Sequence, residues 1–258
     1  MNPAHLSPSL GKAFTAASGK LLSIYTMAGF PRLDSLHQIL PALDAAGTDF
    51  IEIGIPFSDP LADGPVIQAA ALQALQNGMH TDLLFKQLAE ISTQAPLVLM
   101  GYLNTVLHYG FERFCAQCAA CRITGLILPD LPADIWESQY KHMTDAHGIS
   151  VIFLVAPQTS EARIRQIDAL SSSFIYAVSN SSTTGNSQAQ GAHQYLRDLR
   201  EMQLDHPVMT GFNIRDRQSF LAASEYTSGG IIGSAFLEHI REDDSPEQIA
   251  SFIQTIRP

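Results

Sequence analysis

From Leu21 to Ser234, apolar runs of strand length alternate with longer stretches of helical period, a pattern that few folds accept. Runs at 21–28, 50–55, 96–102, 125–129, 150–156, 174–179, 207–212 and 230–234 read as strands, bounded by Gly, Pro, Asn and Asp. Between and after them, 34–46, 66–76, 81–92, 110–121, 134–146, 160–170, 194–202 and 217–223 read as helices. In the first of these, Leu36, Ile39, Leu40 and Leu43 recur at three and four, with Gly47 just past the end. Further helices are expected near Phe236 and Pro246, and Leu6 to Ala17 is expected to be a short helix that closes one end of the fold. Strands separated by helices must run parallel, and parallel strands are covered on both faces. Eight such units close into a barrel, so the expected class is α/β: one (β/α)8 TIM barrel with a short N-terminal capping helix, a single domain over residues 1–258. A doubly wound open sheet competes, but it usually carries a glycine-rich fingerprint after its first strand, and Gly29-Phe30-Pro31 is not one.

Composition narrows the partners. Asp and Glu number 25 against 15 Lys and Arg, a net charge of −10, which disfavours nucleic acid. The first twenty residues lack a basic start followed by an apolar block, and no apolar run approaches a membrane span, so a cytoplasmic protein without membrane contact is expected. Cys115, Cys118 and Cys121 repeat every three residues with no fourth ligand following, which reads as reduced helix cysteines; no metal site is expected.

Chemistry begins at Phe50 to Ile55. Strand side chains alternate faces, so Ile51, Ile53 and Ile55 share one side and Glu52 points to the other with Phe50 and Gly54. If both faces are covered, Glu52 is buried, and an unpaired carboxylate there costs several kcal/mol. It must therefore find a partner, hold a proton or serve catalysis; an edge position or a structural ion pair is the plainer alternative. Asp63 follows eleven residues on, in a loop ending Asp63-Gly64-Pro65, where Pro65 suits the first turn of a helix. Alone, Asp63 reads as a cap or turn former. Together the two carboxyls can converge on one mouth and move protons in two directions.

In such barrels the reactive groups sit at the C-terminal ends of the strands. Gly211 and Gly233-Ser234 close strands seven and eight, where small residues let backbone N–H groups approach an anion. A phosphate site is commonest at these two loops, and Thr184-Gly185 in the polar loop 180–191 is placed to add a third wall. That loop has nothing to bury and is expected to order over substrate. Tyr102 and Tyr176 lie where an aromatic ligand can stack, and each is equally well placed as plain core.

The run from Glu52 to Gln68, Glu-Ile-Gly-Ile-Pro-Phe-Ser-Asp-Pro-Leu-Ala-Asp-Gly-Pro-Val-Ile-Gln, resembles the signature of the tryptophan synthase alpha subunit family. Met100-Gly-Tyr-Leu-Asn104, Pro129-Asp-Leu-Pro132, Thr184-Gly185, Gly211-Phe212 and Gly233-Ser234-Ala235 follow in the same order. The resemblance implies a lyase that cleaves indole-3-glycerol phosphate by a retro-aldol reaction. It needs no cofactor of its own, and a partner beta subunit carries pyridoxal phosphate in an alpha2beta2 tetramer. It implies Glu52 as general acid and base and Asp63 as the acceptor of the indole N–H. Gly185, Phe212, Gly233 and Ser234 would cradle the phosphate, and Tyr25, Tyr102 and Tyr176 would line the cavity. Asp59, Pro60 and Asn104 would face the partner. The chain departs from the family pattern at Phe30, at Ser182-Thr183 and at Asn213, which stands beside the phosphate loop. A stand-alone lyase releasing free indole, and an alpha-like protein that only docks onto a partner, remain open alternatives.

Overall fold

The computed structural model describes residues 8–16, 19–178, 186–211 and 214–257. In chain order the described elements are α1 (Pro8–Ala16), β1 (Leu21–Met27), α2 (Leu36–Ala45), β2 (Phe50–Gly54), α3 (Pro65–Gln76), α4 (Thr81–Glu90), β3 (Leu97–Met100), α5 (Leu103–Tyr109), α6 (Phe111–Ala120) and β4 (Ile123–Ile127). They continue with α7 (Ala133–Ile135), a π-helical turn (Trp136–Tyr140), α8 (Lys141–Ala146), β5 (Ser150–Ile152), β6 (Leu154–Val155), α9 (Glu161–Leu170) and β7 (Ile175–Ala177). Last come α10 (Asn186–Glu201), β8 (Val208–Thr210), α11 (Arg217–Ser224), β9 (Gly229–Ile232), α12 (Ser234–Ile240) and α13 (Pro246–Ile256). Caps set many of the boundaries. Pro65 opens α3, Ser160 accepts the Arg163 amide at the start of α9, and Asp216 with Ser219 forms a capping box on α11.

All described strands run parallel in the order β5-β4-β3-β2-β1-β9-β8-β7-β6. The two ends of that order are neighbours in the chain, because only Phe153 separates β5 from β6. The run 150–155 thus pairs with β4 through its first half and with β7 through its second, and the Phe153 carbonyl accepts the Tyr176 amide at 2.9 Å. The sheet closes on itself as an eight-stranded barrel whose fifth strand is written in two pieces.

Register decides which side chains share the barrel interior. Tyr25 pairs with Glu52, Glu52 with Val98 and Val98 with Gly125, so one layer runs across four strands. One layer below, Phe50 meets Phe174 at 5.4 Å between ring centres, and Phe14 of α1 meets both, at 6.4 and 5.7 Å. Leu10, one helical turn before Phe14, is fully buried and would meet any side chain added at Gly125. The N-terminal helix therefore plugs the floor of the barrel, as its sequence position suggested. The outer layer is held by faces such as Leu36, Ile39, Leu40 and Leu43 of α2 and Ile249, Phe252, Ile253 and Ile256 of α13.

Three elements differ from the sequence reading. Leu103–Tyr109 is a helix, too short and with only Val106 buried to show a period. The expected helix 134–146 widens into a π turn at its centre. Helix α10 starts at Asn186, well before the expected Gln194, because its first two turns carry no apolar repeat. Among the described residues no helix is long and apolar enough to cross a membrane.

Candidate active site

Glu52 sits in the second strand with no solvent exposure, and neither carboxyl oxygen has a hydrogen-bond partner among the described residues. Both plainer readings of this residue therefore fail: it is neither at an edge nor in an ion pair. Burial, with a smaller contribution from the charge of Asp63, pushes its pKa from 4.5 to about 8. A carboxyl so placed holds its proton at neutral pH and can still release it within the working range.

Asp63 reaches the same hollow from the loop between β2 and α3. It is not a helix cap, since Gly64 occupies that position. The Tyr102 hydroxyl donates to Asp63 Oδ2 at 2.9 Å and accepts the Ala62 amide at 3.0 Å. Tyr102 itself stacks on Phe57, with ring centres 5.0 Å apart, which braces the loop from its other end. In the fold Asp63 is half-buried, and desolvation raises its pKa while the Tyr102 hydrogen bond pulls it back down.

Two more phenols complete the wall. Tyr25, adjacent to Glu52 in register, lies with its hydroxyl over Gly54, where an added Cβ would come within 2.1 Å of it. Its Cβ and ring start lie against Gly233 on β9's end, 3.4 Å from an added Cβ there. Tyr176 places its hydroxyl over Gly211 in the same manner, 2.5 Å from an added Cβ. Burial raises the pKa of both phenols, and the charges of Glu52 and Asp63 raise each further, so the four groups lie within electrostatic reach of one another.

Gly233 and Ser234 stand where β9 passes into α12, with Gly233 at the N-cap position and Ser234 opening the helix. Thr184, Gly185, Phe212 and Asn213 lie outside the described residues, as do Ser182 and Thr183. Of the expected partner-facing residues, Asp59 is exposed on the loop after β2, Pro60 beside it is half-buried, and Asn104 is exposed in the first turn of α5. Close by in the chain stand Leu61, 93% exposed, and Leu107, 46% exposed. The mouth loops are also tied to each other, since Asp130 after β4 accepts the Leu103 amide at 2.9 Å.

The sequence reading missed Gly54, Phe57 and the Ala62 amide as parts of the site. Gly54 carried a usable sign: a glycine inside a β-branched strand marks a close approach, here by the Tyr25 hydroxyl. Phe30, one of the departures from the family pattern, is buried. Cys115, Cys118 and Cys121 pack in the core away from this mouth. Their burial pushes all three thiols up, Cys115 to about 12.

Comparison with known proteins agrees with this picture. A family model described as tryptophan synthase alpha chain matches residues 12–256. The tryptophan synthase alpha chain of Flavobacterium psychrophilum is 48% identical over 241 residues, covering 92% of this chain and 95% of that protein. That of Parabacteroides distasonis is 46% identical over 239 residues, covering 91% and 93%. Among solved structures, a Mycobacterium tuberculosis tryptophan synthase chain superposes with a TM-score of 0.87 at 30% identity, over 97% of each chain. Tryptophan synthase subunit alpha from Legionella pneumophila gives 0.86 at 29% identity, over 100% of this chain and 97% of that one. Sequence and backbone thus agree along nearly the whole chain, and the chain belongs to the tryptophan synthase alpha chain family.

Proposed function

We propose that Glu52 and Asp63 carry the activity of this alpha chain, the retro-aldol cleavage of indole-3-glycerol phosphate to indole and glyceraldehyde 3-phosphate in tryptophan biosynthesis. The observation that carries the assignment is the proton-holding, partnerless Glu52 facing the braced Asp63 across one hollow. Protonated Glu52 gives its proton to C3 of the indole ring. The positive charge that develops on the ring is met at the indole N–H by the Asp63 carboxylate, which Tyr102 holds in place. The carboxylate left on Glu52 then takes the proton of the hydroxyl on the carbon attached to C3. The bond between that carbon and C3 breaks, its electrons return to the ring, and an aldehyde and indole leave.

The phosphate end belongs at the loops after β8 and β9. There Gly211, Gly233 and Ser234 supply backbone and hydroxyl groups, and the family motif adds Phe212, Asn213, Thr184 and Gly185 to the same set. Tyr25, Tyr102 and Tyr176 line the passage between the two ends. The chemistry runs on carboxyl groups, so the reading assigns this chain no cofactor and leaves pyridoxal phosphate to the partner. That partner is a tryptophan synthase beta chain in an alpha2beta2 assembly, and the exposed Leu61 and Leu107 beside Asp59 and Asn104 support a docking face at the mouth. A cytoplasmic, single-domain enzyme over residues 1–258 fits this role.

Indole release from indole-3-glycerol phosphate, assayed with the chain alone and mixed with a beta chain, tests the assignment. Glu52→Gln keeps the shape and removes the titrating group, so the rate is expected to fall at least about a thousandfold while the melting curve stays cooperative. Near-normal release by that folded variant would sink the role given to Glu52.

A further inference from the structure

Asp130 is an exposed carboxylate with no cationic partner among the described residues, and both of its oxygens are turned to one backbone group. It accepts the Leu103 amide at 2.9 Å through Oδ1 and at 3.1 Å through Oδ2. Leu103 opens α5, and its amide is among the helix-start donors that a helix cannot satisfy from within. Tyr102 holds the N-cap position in extended conformation, and its side chain caps nothing. The acceptor for α5 therefore comes from the loop after the next strand, 27 residues along the chain. That loop is itself anchored: Leu128 and Leu131 on either side are buried, and the Leu131 amide donates to the Leu128 carbonyl at 3.0 Å.

What Asp130 holds still is the backbone next to Tyr102. The Tyr102 hydroxyl donates to Asp63 Oδ2 at 2.9 Å and accepts the Ala62 amide at 3.0 Å, so its place is set from two directions. Phe57 stacks on the ring with centres 5.0 Å apart, which leaves the ring little room to swing and make up for a shifted backbone. Burial and the charge of Asp63 raise the Tyr102 pKa, and the charge of Asp130 adds to them, so Asp130 lies within electrostatic reach of the phenol. Three loops are thus joined in series. The loop after β4 holds the start of α5, and the residue before α5 holds the loop after β2.

We propose that Asp130 is a positioning residue for the reaction: by fixing the first amide of α5 it sets where the Tyr102 hydroxyl stands, and through that hydroxyl it holds the Asp63 carboxylate. This rests on the lyase reading above and deepens it with a residue that touches no substrate. Asp63 must be ionised to meet the indole N–H, and the Tyr102 hydrogen bond favours that form. Without the Asp130 tether the hydroxyl drifts, the bond weakens, and Asp63 keeps its proton to higher pH. Removing the Asp130 charge works in the opposite direction, because a carboxyl with one anion fewer nearby ionises more readily. A rise therefore marks lost positioning rather than lost charge.

The test measures kcat/KM for indole-3-glycerol phosphate against pH, with the chain alone and in complex with a beta chain. Asp130→Ala is expected to lower the optimum about three- to tenfold, chiefly in kcat, and to move the acid limb up by about half a pH unit or more, with the alkaline limb unmoved. Asp130→Asn keeps an oxygen for the Leu103 amide and should restore most of both. On a Tyr102→Phe background, Asp130→Ala should move the acid limb no further. A lower optimum with both limbs in place would show a merely structural role and overturn the proposal. So would an equal shift on the Tyr102→Phe background, or a change seen only in the complex. Melting curves check folding, and Asp130→Glu, which keeps the charge and misplaces the oxygens, must move the acid limb the same way if Asp130→Ala does not fold. A wild-type protein that releases no indole would bring down the lyase reading, whereas an active enzyme whose acid limb ignores Asp130 brings down this role alone.

Discussion

Glu52 sets a conflict between activity and stability that can be measured directly. In the unfolded chain its pKa is near 4.5 and in the fold it is about 8. Below pH 4.5 both states hold the proton and the site has no effect on stability. From 4.5 to 8 the unfolded chain has released its proton and the native state has not, so stability falls as pH rises; above 8 the loss is complete. At pH 7 the loss amounts to about 3 kcal/mol. Glu52→Gln is therefore expected to melt at a higher temperature than wild type at pH 7 and above, with the gap closing by pH 4.5. Calorimetric melts across that range check it, and a gap independent of pH would mean that Glu52 is not the titrating group. The alternation of Phe50, Glu52 and Gly54 already placed this acid inside the barrel. Its lack of a partner could not be read there, because partners come from strands far away in the chain.

At the scale of elements, the N-terminal helix is the part whose role follows most directly from packing. Leu10 and Phe14 are spaced by four and lie on one face of α1, closing the floor under Phe50 and Phe174. Leu10→Ala should cost about 2–5 kcal/mol, because the barrel floor cannot collapse into the space left behind. Denaturant unfolding would show the drop, and the floor lies at the opposite end from the carboxyls, so turnover per folded molecule should hold. Most helices and all eight strand positions were legible as changes of period. The segments that were not, α5 and the first turns of α10, have too few buried apolar residues to imprint a period. The fifth strand's division at Phe153 was equally silent, since the residues on both sides of it, Val151 to Val155, are all apolar. Asp63 illustrates another limit: taken alone it read as a cap or turn former, whereas in the fold it is half-buried and Tyr102, from the next strand's end, holds one of its oxygens.

For the whole molecule, closure matters more than any single element. Arg257, at the far end of the chain, donates to Asp49 and to the Lys20 and Gly47 carbonyls, and Asp49 also takes the Leu22 amide at 2.7 Å. The last helix is thus tied to the start of the first two strands, which carry Tyr25 and Glu52. At the opposite rim, the loops after β2 and β3 form the proposed docking face. Leu107→Asp, on the outer side of α5, should weaken association with a beta chain by about tenfold or more, as read by sedimentation velocity. Cleavage by the isolated chain should persist, since Leu107 lies outside the hollow. By itself the amino-acid order determined the barrel and the strand face on which Glu52 stands, because periodicity and turn chemistry are local properties of the chain. Only the closed structure decided that Glu52 stands without a partner, that Tyr102 clamps Asp63, and that Tyr25 spans from Gly233 to Gly54. Those facts depend on which distant strands the closing ring brings side by side, and no local pattern encodes a meeting between groups so far apart in sequence.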